Sequence, residues 1–154
     1  MNIFVLDINP KKCAKYHCDK HVIKMILETA QLLCSAHHMT GNKNVPYRLT
    51  HKNHPCSIWT RKSKANYKWL VKLGLELCAE YTHRYDKIHK TEKIIKWCAE
   101  NIPNLPNDDM TEFAYAMPDI YKISSDAVTN YREYYKQDKA AIATWKTQKP
   151  EWYE

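Results

Sequence analysis

Residues 19–38 read DKHVIKMILETAQLLCSAHH, and this stretch decides the fold class. Val22, Ile26, Thr29 and Leu33 recur at steps of three and four, and Ile23, Leu27, Ala30 and Cys34 form the adjoining row. That period belongs to an α-helix. Apolar residues cover most of its circumference, so the helix is read as buried. One narrow polar stripe interrupts them: His17, His21, Lys24, Glu28 and Gln31 share a face. On a buried helix, such a stripe lies against a water-filled cleft or against paired groups. Lys24 and Glu28 at i and i+4 satisfy either description.

Outward from this helix the punctuation is clear. Residues 2–6, NIFVL, read as one short strand, closed by Asp7 and Asn9-Pro10. Pro10 suits a first helical turn, and a short helix is expected to about His17. Residues 39–53 form a loop around Gly41 and Pro46. Pro55 opens a second long helix to about Tyr85, with a break expected near Ser63. A third helix covers about 91–101, IPNLPNDD is a loop, and residues 111–117 form a helical turn. Ser124 or Ser125 caps a last helix to about Lys136, with continuation towards Trp145. The expectation is a compact, mainly α, single-domain fold spanning 1–154, with one short N-terminal strand.

Composition narrows the function. Two glycines, Gly41 and Gly74, exclude glycine-rich phosphate loops. The net charge is +7, and from Thr29 to Leu75 there is no acidic residue. A basic run of that length attracts a polyanion, typically a phosphate backbone. No segment reaches the roughly 18 apolar residues of a membrane span, so no membrane partner is expected. The start, MNIFVLDINPKK, lacks the basic region of a secretion signal, so the six cysteines are read as reduced thiols.

Three clusters carry candidate chemistry. The first is the polar stripe, with Asp19 and Lys20 at its start: Asp19, Lys20, His21, Lys24 and Glu28 are the candidate catalytic residues. Burial and pairing tune such amines and carboxylates for acid–base work. The second surrounds Pro55: His51, His54, Trp59, Arg61 and Lys62 combine a helix start with cations and a stacking surface for nucleic acid. The third interleaves aromatics and cations near the end of the chain, with Arg132 and Trp152 as its contacts. Cys13, His17, Cys18 and His21 form a further set of metal-ligating types, but their spacing fits no common zinc module, and no metal or other cofactor is expected.

Asp19-Lys20-His21-Val22-Ile23-Lys24 with Glu28 and Gln31, then His54-Pro55 and Trp59, then Leu77 to Tyr81, and finally Pro150-Glu151-Trp152-Tyr153 resemble the motifs of the pyrimidine-dimer DNA glycosylases (endonuclease V-like) of phages and bacteria. The resemblance implies a helical DNA-binding domain. In the family's founding phage enzyme a free N-terminal amine attacks C1′ of the damaged nucleotide, and a glutamate on the first long helix assists. The resulting Schiff base lets the strand be nicked. In this chain the second residue, Asn2, is large enough for Met1 to be retained, and the position matching that glutamate falls at or near His21. The leading reading is a DNA glycosylase-like enzyme acting on a damaged or modified base flipped out of duplex DNA, with or without a lyase step. Its rivals are a non-catalytic binder of nucleic acid or nucleotides using the same pocket, and a metal-stapled nucleic-acid module. A cytoplasmic setting is expected, that of the host cell if the chain is phage-encoded. The oligomeric state is left open.

Overall fold

The computed structural model describes residues 1–153. Among them the elements are helices α1 (Pro10–Tyr16), α2 (Asp19–Met39), α3 (Pro55–Thr60), α4 (Lys64–Tyr85), α5 (Glu92–Glu100) and α6 (Ala127–Gln137), with a 3-10 turn at Asp119–Tyr121. Helix α2 forms the centre. It packs on α4, α5 and α3, while α1 lies on α4. The two apolar rows of α2 divide between core and surface. Val22, Ile26 and Leu33 are buried, whereas Ile23 and Leu27 remain exposed.

Each boundary has a local cause. Asn9 caps α1 by accepting from Lys12 N–H, and Pro10 occupies the first turn. Ser63 accepts from Asn66 N–H at 3.0 Å and starts α4, which makes the expected break near Ser63 a true helix boundary. The last helix is capped by Asp126, not by Ser124 or Ser125, because the carboxylate takes both the N–H and the hydroxyl of Thr129. It ends at Gln137. Beyond it the chain turns back onto the start of α2, where Asp19 N–H donates to Thr144 C=O and Lys146 N–H to the Asp19 carboxylate.

Two expectations are corrected. Residues 2–6 are buried but form no strand, because among the described residues no second strand lies beside them. Their backbone groups turn to side chains and to a tight turn instead: Asn2 N–H donates to Glu28, Ile3 N–H to the Asn2 carboxamide, Leu6 N–H to Phe4 C=O, and Leu6 C=O accepts from Arg132. Residues 111–117 are likewise without regular structure, not helical. Asn66 holds Thr111 in two bonds, and the Phe113 ring fits between Trp59 and Trp69.

The tightest point of the core is Gly74 on α4. A β-carbon there would lie 3.0 Å from the Thr29 methyl of α2 and 3.1 Å from the Ile95 methyl of α5. The three helices therefore meet over a missing side chain. Replacing Gly74 with leucine is expected to cost roughly 3 kcal/mol through overpacking, against a helix-propensity gain of about 1 kcal/mol. Urea midpoints of Gly74→Leu and the wild type check this, and equal midpoints would contradict the packing.

Candidate functional site

The chain start enters the protein between α2 and the loop ahead of α3, and a polar cavity of about 370 Å3 opens there. The α-amino nitrogen of Met1 lies 3.3 Å from Glu28 Oε1, and Asn2 N–H donates to the same oxygen at 3.1 Å. The other oxygen, Oε2, is 3.7 Å from Lys24 Nζ, whose side chain is largely exposed. Glu28 is thus a nearly buried carboxylate with a buried ammonium on one oxygen and an exposed one on the other. Unpaired, a carboxylate so placed would be strongly disfavoured, and here it meets two cations.

Two imidazoles line the same cavity. His21 stacks on the Phe4 ring at 4.4 Å and meets the Tyr135 hydroxyl through Nδ1 at 2.6 Å. That hydroxyl also accepts from Cys18 N–H and has Cys18 Sγ at 3.4 Å as an acceptor. Burial, then the charges of His17, Lys139 and Lys24, push His21 down to about 3. His54 caps α3 by accepting from Cys56 N–H through Nδ1, which leaves Nε2 as the donor of its neutral ring. Burial and the nearby Met1 ammonium lower its value as well. Both rings are neutral hydrogen-bond donors near neutral pH. Tyr134 and Lys139 close the far side, with the Lys139 ammonium 5.0 Å from the Tyr134 ring centre.

Of the residues proposed from sequence, His21, Lys24, Glu28 and His54 meet at this cavity. The others lie elsewhere. Asp19 binds the guanidinium of Arg84 at 3.1 Å and the backbone of Lys146, and so anchors the returning tail. Lys20 is exposed and does not line the cavity. The carboxylate that faces the amine is Glu28, not a group at or near His21, one helical turn after Lys24 on the same stripe.

The expected nucleic-acid contacts are largely structural. Trp59 is 3% exposed, stacked on Phe113 and bonded to Thr111 C=O, so its faces are not open to a base. Arg61 is drawn to Lys52 C=O and the Ser57 hydroxyl. His51, with φ +49°, is exposed and bonds to Thr50, while Lys62 is exposed. Arg132 binds Leu6 C=O and Asp7 and lies between the rings of Tyr16 and Trp152. Trp152 is thereby packed on the body. Cys13, His17, Cys18 and His21 do not converge: Cys13 donates to Phe4 C=O, His17 to Cys13 C=O, and His21 meets Tyr135. All six cysteines are free and buried.

Residues missed from sequence are Met1, Tyr134 and Lys139. The amine was available from the family resemblance, but in sequence it reads only as the residue ahead of a short buried strand. Lys139 had no periodic signal, because it follows the end of α6. Lys24 also borders a second cavity of about 760 Å3 with Ile23 and Leu27 as its apolar wall. No helix of the described residues is long and apolar enough to cross a membrane.

The family model described as pyrimidine dimer DNA glycosylase matches residues 1–93. No curated protein and no solved structure matches the chain. The matched segment contains Met1, His21, Lys24, Glu28 and His54, whereas Tyr134 and Lys139 lie beyond it.

The buried histidines make stability pH-dependent. His17 donates through Nδ1 to Cys13 C=O, its Nε2 has no partner, and burial lowers it from 6.5 to about 4. As pH falls, the unfolded chain takes up the proton first. Stability is therefore full above 6.5 and declines down to about 4 for His17 and about 3 for His21. The expected slope is about 1.4 kcal/mol per pH unit for each of the two. Urea titrations through that window test it, and His17→Gln is expected to remove about half of the slope.

Proposed function

The chain belongs to the pyrimidine dimer DNA glycosylase family, and from that premise we propose that it excises a damaged pyrimidine from duplex DNA through the α-amine of Met1. The observation that carries this reading is the pairing of that amine with Glu28 at the wall of an open polar cavity. A buried amine next to a carboxylate has both a proton acceptor at hand and a defined direction of attack.

In the proposed sequence, Glu28 takes a proton from the Met1 ammonium and frees its lone pair. The nitrogen attacks C1′ while the bond from C1′ to the base breaks, and that electron pair leaves with the base. His21 and His54, as neutral donors, stabilise the departing oxygen or nitrogen of the base by hydrogen bonds. The sugar ring then opens, O4′ gains a proton, and a Schiff base joins Met1 to C1′. Water hydrolyses this adduct; alternatively, loss of a C2′ proton expels the 3′-phosphate and nicks the strand. Lys24 and Lys139 both line the cavity and are the cations that would hold the phosphates flanking the extruded nucleotide.

The test is borohydride trapping on an ultraviolet-irradiated duplex. A covalent adduct on the peptide that contains Met1 is expected. Glu28→Gln preserves volume and the acceptor oxygen but strips the counter-charge from the Met1 ammonium, so a lower melting temperature is expected; the folded variant should bind DNA within a few-fold yet lower base release by at least about 100-fold. Undiminished release in that variant would overturn the assignment, and binding without release by the wild type would favour a non-catalytic binder.

Affinity should also be strongly salt-dependent, with Lys139→Gln reducing the slope of log affinity against log salt by about 1. An unchanged slope would remove Lys139 from the phosphate contacts.

A further inference from the structure

We propose that the side chain of Asn2 is a positioning residue that aims the Met1 amine, a role that rests on the amine chemistry proposed above. Asn2 follows the amine directly and is 8% exposed. Its carboxamide joins three separate parts of the fold. Oδ1 accepts from Ile3 N–H at 2.7 Å and from the Cys56 thiol of α3 at 3.6 Å. Nδ2 donates to Ala116 C=O at 2.9 Å. The Tyr131 hydroxyl of α6 lies 3.2 Å from Oδ1 and clamps the same 114–116 segment, accepting from Ala116 N–H and donating to Ala114 C=O.

The chemistry of these partners selects an amide. One end of the group meets N–H and S–H donors, and the other meets a carbonyl. An aspartate would set an anionic oxygen against Ala116 C=O, and a leucine would leave the Ile3 N–H and the Ala116 carbonyl unpaired. The amine nitrogen is only a few bonds from this anchor. A single carboxamide therefore fixes the segment from which the nucleophile projects, while Glu28 holds the nitrogen itself. Displacing such a group by about 1 Å lowers a rate by roughly 100-fold.

The interior position of Cys56 makes the idea separable from substrate contact. Cys56 is fully buried. Its thiol reaches the site through Asn2, while its backbone N–H, which bonds His54 Nδ1, is kept in both Cys56 variants. Cys56→Ala removes a donor to Oδ1, and Cys56→Ser restores one.

The experiment is single-turnover borohydride trapping on irradiated duplex with Asn2→Asp, Tyr131→Phe, Cys56→Ala and Cys56→Ser. All keep a large residue after Met1, so removal of the initiator methionine does not intervene. DNA affinity and melting temperature are measured in parallel. The maximal trapping rate should fall by roughly 10- to 100-fold in Asn2→Asp and by several-fold in Tyr131→Phe and Cys56→Ala, with half-saturation for DNA unchanged and the rate recovered in Cys56→Ser. A second readout needs no DNA: the rate at which formaldehyde and cyanoborohydride methylate the Met1 amine should change in the same order.

Wild-type trapping rates in folded variants overturn the anchor. So does a rate loss that merely follows melting temperature with no recovery in Cys56→Ser. If Asn2→Asp fails to fold, the Tyr131 and Cys56 variants decide. If the wild type forms no adduct, the amine chemistry itself has failed, and unchanged methylation rates across the series then dispose of the anchor as well.

Discussion

The first residues of the chain carry backbone donors into the interior without a strand to receive them, and much of the architecture answers that constraint. An unpaired buried N–H costs about 1–3 kcal/mol. Here the Met1 and Asn2 nitrogens share Glu28 Oε1, and Ile3 N–H turns to its neighbour's side chain. Glu28 in turn is tolerable on a buried helix only because these donors meet it. The buried start and the buried carboxylate each remove the other's penalty. The same economy leaves Oε2 facing the cavity and an exposed lysine. A structural solution to chain burial thus places an acid–base pair at a pocket wall.

A second buried charge holds the frame around this pair. The Arg84 side chain is fully buried on α4, and four of its five N–H donors have partners. It reaches Glu80 on its own helix, Asp19 at the start of α2, and the carbonyls of Lys15 and His17 that close α1. Planar, many-donor geometry suits such a junction, and lysine would not reproduce it. Through Asp19 the junction extends to Lys146 and the tail, and Trp145 donates to Tyr16 C=O nearby. Asp19 therefore belongs to a network that fixes where α2 begins, which sets the phase of its polar stripe and the direction in which Glu28 points.

These two networks explain which readings of the sequence succeed. Periodicity locates α2 and its stripe because both are local to one helix, and Ser63 announces its boundary because capping needs only three residues. Burial of Trp59, Arg132 and Trp152 depends on Phe113, Asp7 and Tyr16, which are distant in sequence, and no local pattern distinguishes a stacking surface from a packed one. The N-terminal segment fails for a related reason. The apolar run of NIFVL reports burial correctly, but a strand also requires an edge, and nothing in residues 2–6 tells whether one is present. Asp19 and Glu28 are both carboxylates beside the same stripe; only the arrival of Arg84 at one and Met1 at the other separates the carboxylate that anchors the tail from the one that faces the cavity.

The electrostatic character of the cavity follows from this division. Asp19 and Glu80 are spent on Arg84, which leaves Glu28 paired with Lys24 and the Met1 ammonium in a cavity that Lys139 and two neutral imidazoles also line. Burial is the first cause of the depressed histidine values, and the neighbouring cations add to it: Lys139 and Lys24 for His21, the Met1 ammonium for His54. A site of this kind offers donors fixed in advance and stabilises negative charge wherever it develops, on flanking phosphates and on a base leaving with its bonding electrons. It gives no comparable support to a cationic leaving group. The arrangement of one proton acceptor among many donors therefore favours the same direction of bond breaking that attack by the amine demands.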